Sequence, residues 1–225
     1  MIRTKDLIKT YYNGNITTTA LSNININIKK GEFAAIYGLP GSGKTTLLSI
    51  LGLVDSPTSG DIYFMEFNTA QKKEHERAKI RKSNIGYIFK DFNLIDDMTV
   101  AENVSLPLMY GSYKRQEKIT LLDNVLLKMN IIHLKNTYPS QLTGEQQQLT
   151  ALARAIITNP VLLIADEPTG RLDSKAGETI LNILSQLNEE GMTIIMSTGS
   201  KQTAEHARRI IQIFDGHILN ESTLQ

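Results

Sequence analysis

A short apolar run, Phe33 to Tyr37, passes directly into the glycine-rich segment Gly38-Leu39-Pro40-Gly41-Ser42-Gly43-Lys44-Thr45-Thr46 and then into the apolar stretch Leu47 to Leu53. This order, buried strand then tight loop then helix, leaves few architectures open. Two more apolar runs, Val161 to Ala165 and Thr193 to Met196, read as strands buried on both faces, and a helix-like stretch follows each. Apolar runs that alternate with helices imply βαβ units, a parallel sheet and right-handed crossovers. The expected class is α/β with a mainly parallel sheet.

Two regions depart from this pattern. Asn23-Ile24-Asn25-Ile26-Asn27-Ile28-Lys29 alternates strictly between polar and apolar, the period of a half-buried strand in an antiparallel edge sheet, and Lys30-Gly31 then turns the chain. Between about 91 and 155 the spacing becomes helical, with Ile119, Leu122, Leu126 and Met129 on one predicted helix face. This stretch reads as an inserted helical subdomain within a core of about 1–90 and 156–225. The tail returns to strand character, Ile210 to Phe214 and His217 to Leu219, joined at Asp215-Gly216 as a hairpin. No internal repeat or low-complexity linker interrupts the 225 residues, so 1–225 is expected to be a single domain.

The glycine-rich segment satisfies the pattern G-x4-G-K-[ST]. Glycines let backbone N–H groups curl around phosphates, the helix N-terminus adds positive potential, and Lys44 reaches the β and γ oxygens. Thr45 offers a hydroxyl to Mg²⁺. The run Val161 to Ala165 ends in Asp166-Glu167. In such a P-loop site Asp166 would hold the Mg²⁺ shell, and Glu167 would orient or deprotonate the attacking water.

Composition limits the partners. Lys plus Arg number 24 and Asp plus Glu 23, a formal net charge of +1, so no general field draws the chain to nucleic acid, and none is expected as a partner. The stretch from Lys72 to Lys82 interleaves Lys72, Lys73, Arg77, Lys79, Arg81 and Lys82 with glutamates and reads as a solvated helix face. With no cysteine there is no disulfide framework, thiolate metal site or cysteine nucleophile, which fits a reducing cytosol. The N-terminus lacks an apolar signal core and no stretch approaches the ~18 residues that span a bilayer, so work at a membrane requires a second chain.

Taken together, the P-loop, Tyr138-Pro139-Ser140-Gln141-Leu142-Thr143-Gly144-Glu145-Gln146-Gln147-Gln148, Ala153-Arg154-Ala155 and Asp166-Glu167-Pro168-Thr169-Gly170 resemble the ABC transporter ATPases over nearly the whole chain. Leu51-Gly52-Leu53, Pro57-Thr58-Ser59-Gly60, Ile85-Gly86-Tyr87-Ile88-Phe89 and Glu102-Asn103-Val104 look like the subfamily for lipoprotein release, macrolide export and antimicrobial-peptide resistance. The resemblance implies a P-loop NTPase core with an antiparallel β edge subdomain and the helical insert. It also implies ATP and Mg²⁺ bound between two cassettes, identical or mixed, each P-loop facing the partner's signature segment, which here is Leu142 to Gln146 and includes Thr143, Gly144 and Glu145. Tyr11 matches the aromatic on which the family's adenine stacks. The pair would sit beneath a membrane permease on the cytoplasmic side, and the segment around Lys90 would carry closure to it.

Three positions depart from the family pattern. Lys90 stands where the family has a glutamine whose carbonyl oxygen touches Mg²⁺; lysine has three donors and no acceptor. Glu145 replaces a signature glycine near the partner's γ-phosphate, where like charges ~4 Å apart repel by roughly 1 kcal/mol in water and about 4 kcal/mol in a partly dry interface. Gly199 stands in place of the switch histidine, and none of His75, His133, His206 and His217 aligns there. ATP binding with slow hydrolysis is therefore expected, unless neighbours such as Asp91 or Ser200 compensate. Arg171 also replaces a small or amide residue ahead of Leu172-Asp173. Two other readings stay open: a nonhydrolysing regulatory subunit and a soluble ABC protein of DNA repair or translation.

Overall fold

A computed structural model describes residues 1–14 and 16–223. Its first layer is antiparallel: β1 (Ile2–Asn13) pairs with β2 (Ile16–Ile24), β3 (Asn27–Ile28) and β5 (Ser59–Phe64), and β5 carries the short β6 (Phe67–Asn68). In the second layer, β4 (Phe33–Tyr37) runs parallel between β10 (Arg209–Phe214) and β9 (Thr193–Thr198). Beyond β9 the parallel order continues through β8 (Leu162–Asp166) to β7 (Ile85–Ile88). At the other edge β11 (His217–Thr223) pairs antiparallel with β10. The mainly parallel core sheet and antiparallel edge layer expected from the sequence are both present.

The pleat of β4 explains why its run is continuously apolar. Phe33 and Ala35 point into one core, Ala34 and Ile36 into the other, so neither face tolerates a polar residue. The first core joins the sheet to α3 (Val100–Ser105), α4 (Arg115–Lys128), α5 (Gly144–Ile156) and α6 (Ser174–Glu189). The second joins it to α1 (Lys44–Leu51) and to the antiparallel layer through Ile2, Leu7, Leu21 and Ile24. Helix α2 (Glu74–Asn84) buries no residue and carries the pairs Arg77–Glu74 at 2.7 Å and Arg81–Glu74 at 2.9 Å, as a solvated charged face does. A last single turn, α7 (Lys201–Ala204), follows β9.

Two expectations need correction. In the segment from Asn23 to Lys29 the alternation holds, with Ile24, Ile26 and Ile28 buried and the asparagines exposed, but the strand is broken between β2 and β3. The Thr4 hydroxyl enters the gap, donating to Ile24 O and accepting from the Ile26 N–H, both at 2.9 Å, while Asn23 takes φ 52°. The side chain supplements the one backbone bond left there, from the Thr4 N–H to Ile26 O at 2.8 Å. On α4, Leu122, Leu126 and Met129 are buried but Ile119 is exposed, because the buried face begins only at Leu122.

The tail hairpin turns at Asp215 (φ 44°) and Gly216 (φ 73°), with Phe214 opposite His217. Positive φ at both central residues is the two-residue turn that matches strand twist. That turn packs on the glycine-rich loop, where the Gly216 N–H donates to Ser42 O at 3.1 Å.

Candidate functional site

The loop between β4 and α1 depends on backbone only glycine adopts freely. Gly41 has φ 80° and Gly43 φ 101°, and a Cβ on Gly43 would lie 2.6 Å from Ala20 O. Gly43 is also the N-cap of α1, without a side-chain cap and without an acidic residue in the first turn. Unsatisfied N–H groups at such a terminus, with the positive end of the helix dipole, favour an anion. Ser42 adds a buried hydroxyl with no hydrogen-bond partner among the described residues. Lys44 is only 4% exposed, its ammonium donating to Gly38 O at 2.9 Å and Leu39 O at 3.0 Å and lying 3.7 Å from Glu167 Oε1.

Across the loop, the end of β8 brings in the carboxylates. Asp166 Oδ1 accepts from Thr45 Oγ1 at 3.3 Å and from the Ser197 hydroxyl. Glu167 follows at φ 43°, an uncommon conformation for a residue with a side chain, its N–H donating to Ser197 Oγ at 3.0 Å. The Thr45 hydroxyl and Asp166 carboxylate form a hard-oxygen pair that fits Mg²⁺, which takes one or two protein ligands and completes its shell with phosphate and water. Among the described residues no group of three or more His, Asp or Glu forms an all-protein metal cage.

Lys90 closes the arrangement. Its ammonium lies 2.7 Å from Glu167 Oε2, and this hydrogen bond holds the Lys90 pKa above the ordinary lysine value. Its loop is fixed from behind: Phe92 (φ 60°) and Asn93 (φ 50°) present carbonyls to the Arg154 guanidinium at 2.8 and 2.6 Å. The buried Asn103 holds the next turn, donating to Ile95 O, Met98 O and Thr99 O and accepting from the Ile95 N–H. Gly41, Gly43, Lys44, Thr45, Thr46, Lys90 and Glu167, with Ala20 and Pro40, line one cavity of about 270 Å³.

Other residues singled out from the sequence lie behind or apart from this cavity. Gly38 backs the loop, its N–H on Thr198 O at 3.2 Å, and Leu39 is exposed. Tyr11 sits on β1, its hydroxyl on Asp55 at 3.2 Å and its ring 4.9 Å from the Lys9 ammonium. Thr143 caps α5, its hydroxyl accepting from the Gln146 N–H at 3.3 Å, with Gly144 and Glu145 in the first turn. Gly199 borders a second cavity of about 380 Å³ shared with Glu167, Asp173, Glu178 and His206. The two suggested compensators have other partners: Asp91 pairs with Arg171, and Ser200 caps α7 by accepting from the Thr203 N–H at 3.2 Å.

A family model described as "ABC transporter" matches residues 21–170, which takes in the loop, the α5 N-terminus and both carboxylates. The chain belongs to the ABC transporter family. It is an ATP-binding cassette, the ATPase component of such a transporter. An uncharacterized ABC transporter ATP-binding protein of Methanocaldococcus jannaschii is 45% identical over 223 residues, covering 97% of this cassette and 98% of the relative. The macrolide export ATP-binding/permease protein MacB of Campylobacter jejuni is 43% identical over 202 residues, covering 90% of this cassette but 32% of that longer protein. Among solved structures, a dimeric post-hydrolysis state of the cassette MJ0796 bound to ADP and Pi superposes with a TM-score of 0.93 at 40% identity. That match covers 100% of this chain and 99% of the other.

Sequence reasoning missed how much of this cassette's site is held by Ser197, Arg154 and Asn103. The hints were Arg154 within an Ala-Arg-Ala motif and Asn103 within Glu102-Asn103-Val104, neither of which carried a role. Ser197 gave no local signal, because it meets Asp166 only through the β8–β9 register, which sets the two residues opposite each other.

Proposed function

We propose that this cassette binds Mg-ATP between two subunits, uses closure of that pair to drive or regulate a membrane permease, and hydrolyses slowly. The observation that carries the reading is the meeting of Lys44, Thr45 and Glu167 around one cavity, with Asp166 hydrogen-bonded to Thr45 behind it and Lys90 paired to Glu167.

The loop amides and Lys44 hold the triphosphate; Thr45 and Asp166 would hold Mg²⁺, which when bound neutralises phosphate charge. Glu167 orients or deprotonates water at its carboxylate. Here an ammonium occupies Oε2, which removes an acceptor from the water. Two further features weaken catalysis. Gly199 has no side chain to donate to the γ-phosphate, and loss of one preorganised donor commonly costs ~10² to 10³ in rate. Glu145 adds negative charge at the very helix terminus that would face the partner's phosphate, offsetting the dipole that favours it.

Relatives support the partners. The solved cassette named above is a dimer, and MacB is named an ATP-binding/permease protein. No helix among the described residues is long and apolar enough to cross a membrane. In this reading the permease supplies the spanning part and the cassette lies against the cytoplasmic side of the membrane. The test is ATP affinity and steady-state phosphate release, measured on purified cassette with its permease. Micromolar-range binding with turnover at least about tenfold below an intact-motif relative is expected. No binding, or ordinary turnover, overturns it.

A further inference from the structure

The Glu167 carboxylate carries a cation on each oxygen: Lys44 lies 3.7 Å from Oε1 and Lys90 2.7 Å from Oε2. Both cations line the cavity formed by the loop glycines and Thr45. They differ in freedom. Lys44 is buried and tied to two carbonyls, whereas the Lys90 side chain is 53% exposed, with Glu167 as its ion-pair partner. The backbone beneath Lys90 is fixed by Arg154 through Phe92 and Asn93, so its long stem starts from a defined point and its head can move from the carboxylate to an anion entering the cavity.

The same geometry works against a divalent ion. Thr45 and Asp166 supply two oxygens, but position 90 supplies none, and its ammonium repels a second cation. The cavity therefore has one ligand fewer for a metal and one tethered positive charge more for phosphate. We infer that Lys90 takes over part of the divalent ion's role, so that this cassette holds ATP with little dependence on Mg²⁺. This rests on the nucleotide reading above and names the ionic requirement of that same site.

Equilibrium binding of a non-hydrolysable ATP analogue, with excess Mg²⁺ or with EDTA, to the wild type, Lys90→Gln and Lys90→Arg tests it. Chelation should weaken the wild type and Lys90→Arg by less than about tenfold. A charge-assisted contact is worth roughly 10- to 100-fold in binding, so Lys90→Gln should lose at least about tenfold more on chelation than the wild type does. Equal Mg²⁺ dependence in the wild type and Lys90→Gln overturns the inference. Absence of binding by the wild type in excess Mg²⁺ overturns the nucleotide reading instead. Lys90→Arg separates charge from packing: strong Mg²⁺ dependence in that variant also counts against a tethered cation.

Discussion

Ser197 stands opposite Asp166 in the parallel β8–β9 pairing, donates its hydroxyl to Asp166 Oδ1, and accepts the N–H of Glu167 at 3.0 Å. A single hydroxyl thus orients one carboxylate and holds the backbone of the next residue at φ 43°. Ser197→Ala should leave the Glu167 N–H unpaired, at a cost of about 1–3 kcal/mol. In a chain this size that corresponds to a fall in Tm of roughly 2–10 °C by calorimetry. Turnover should fall at least about tenfold, because both carboxylates lose their fixed geometry. Ser197→Thr should retain most of both; equal damage from the two variants would argue against the hydroxyl.

Gly43→Ala tests the loop. A methyl group there sits 2.6 Å from Ala20 O at φ 101°, so the loop must shift to admit it. Nucleotide affinity should drop by more than about tenfold while the Tm changes by only a few degrees, since the strain falls mainly on the loop and touches the second core only at Leu21 Cδ2, 3.0 Å away. Fluorescence titration with a labelled nucleotide reads the affinity.

Repair of the departures should raise the rate. A Cβ at position 199 meets only Gly38 O, at 3.7 Å, and the adjoining cavity has room for an imidazole, so Gly199→His is sterically admissible. Combined with Glu145→Gly, it should increase phosphate release by about 10- to 100-fold. An unchanged rate in the folded double variant would place the restraint elsewhere, with the Lys90–Glu167 pair the next candidate.

Glu167→Gln removes the shared anion of Lys44 and Lys90 and frees both for phosphate. ATP should bind as tightly as, or more tightly than, to the wild type, and hydrolysis should fall by at least ~10². Weaker binding would mean that the carboxylate itself organises the two lysines for the ligand.

Asn103 is fully buried, and its side chain serves one N–H and three carbonyls of the segment from Ile95 to Thr99. Asn103→Leu keeps the branched shape but adds bulk and leaves the Ile95 N–H and the Ile95 and Met98 carbonyls without this partner, so chemical denaturation should show a loss of about 2–4 kcal/mol. The Lys90 loop lies immediately upstream, so proteolysis near Phe92 should also accelerate.

Much of the architecture was legible in the chain itself. Continuous apolar runs at Phe33 to Tyr37 and Val161 to Ala165 can be buried only between two covered faces, and Asp215-Gly216 has the backbone freedom a tight hairpin needs. The phosphate loop was readable because its chemistry is local: three closely spaced glycines, one lysine and neighbouring hydroxyls at the start of a helix. Other features were beyond one-dimensional reading. The break at Asn25–Ile26 arises because Thr4, some twenty residues upstream, inserts its hydroxyl; Ile119 is exposed because α4 reaches the core only from Leu122. Nor did the residue types at positions 90 and 167 reveal that the two would meet. That Lys90 would forgo an acceptor followed from its side chain alone, but its 2.7 Å contact with Glu167 depends on β7 and β8 lying side by side and on Arg154 holding the intervening loop. Local chemistry is written along the chain, whereas contacts between distant segments are decided by strand order and register, which only the folded sheet specifies.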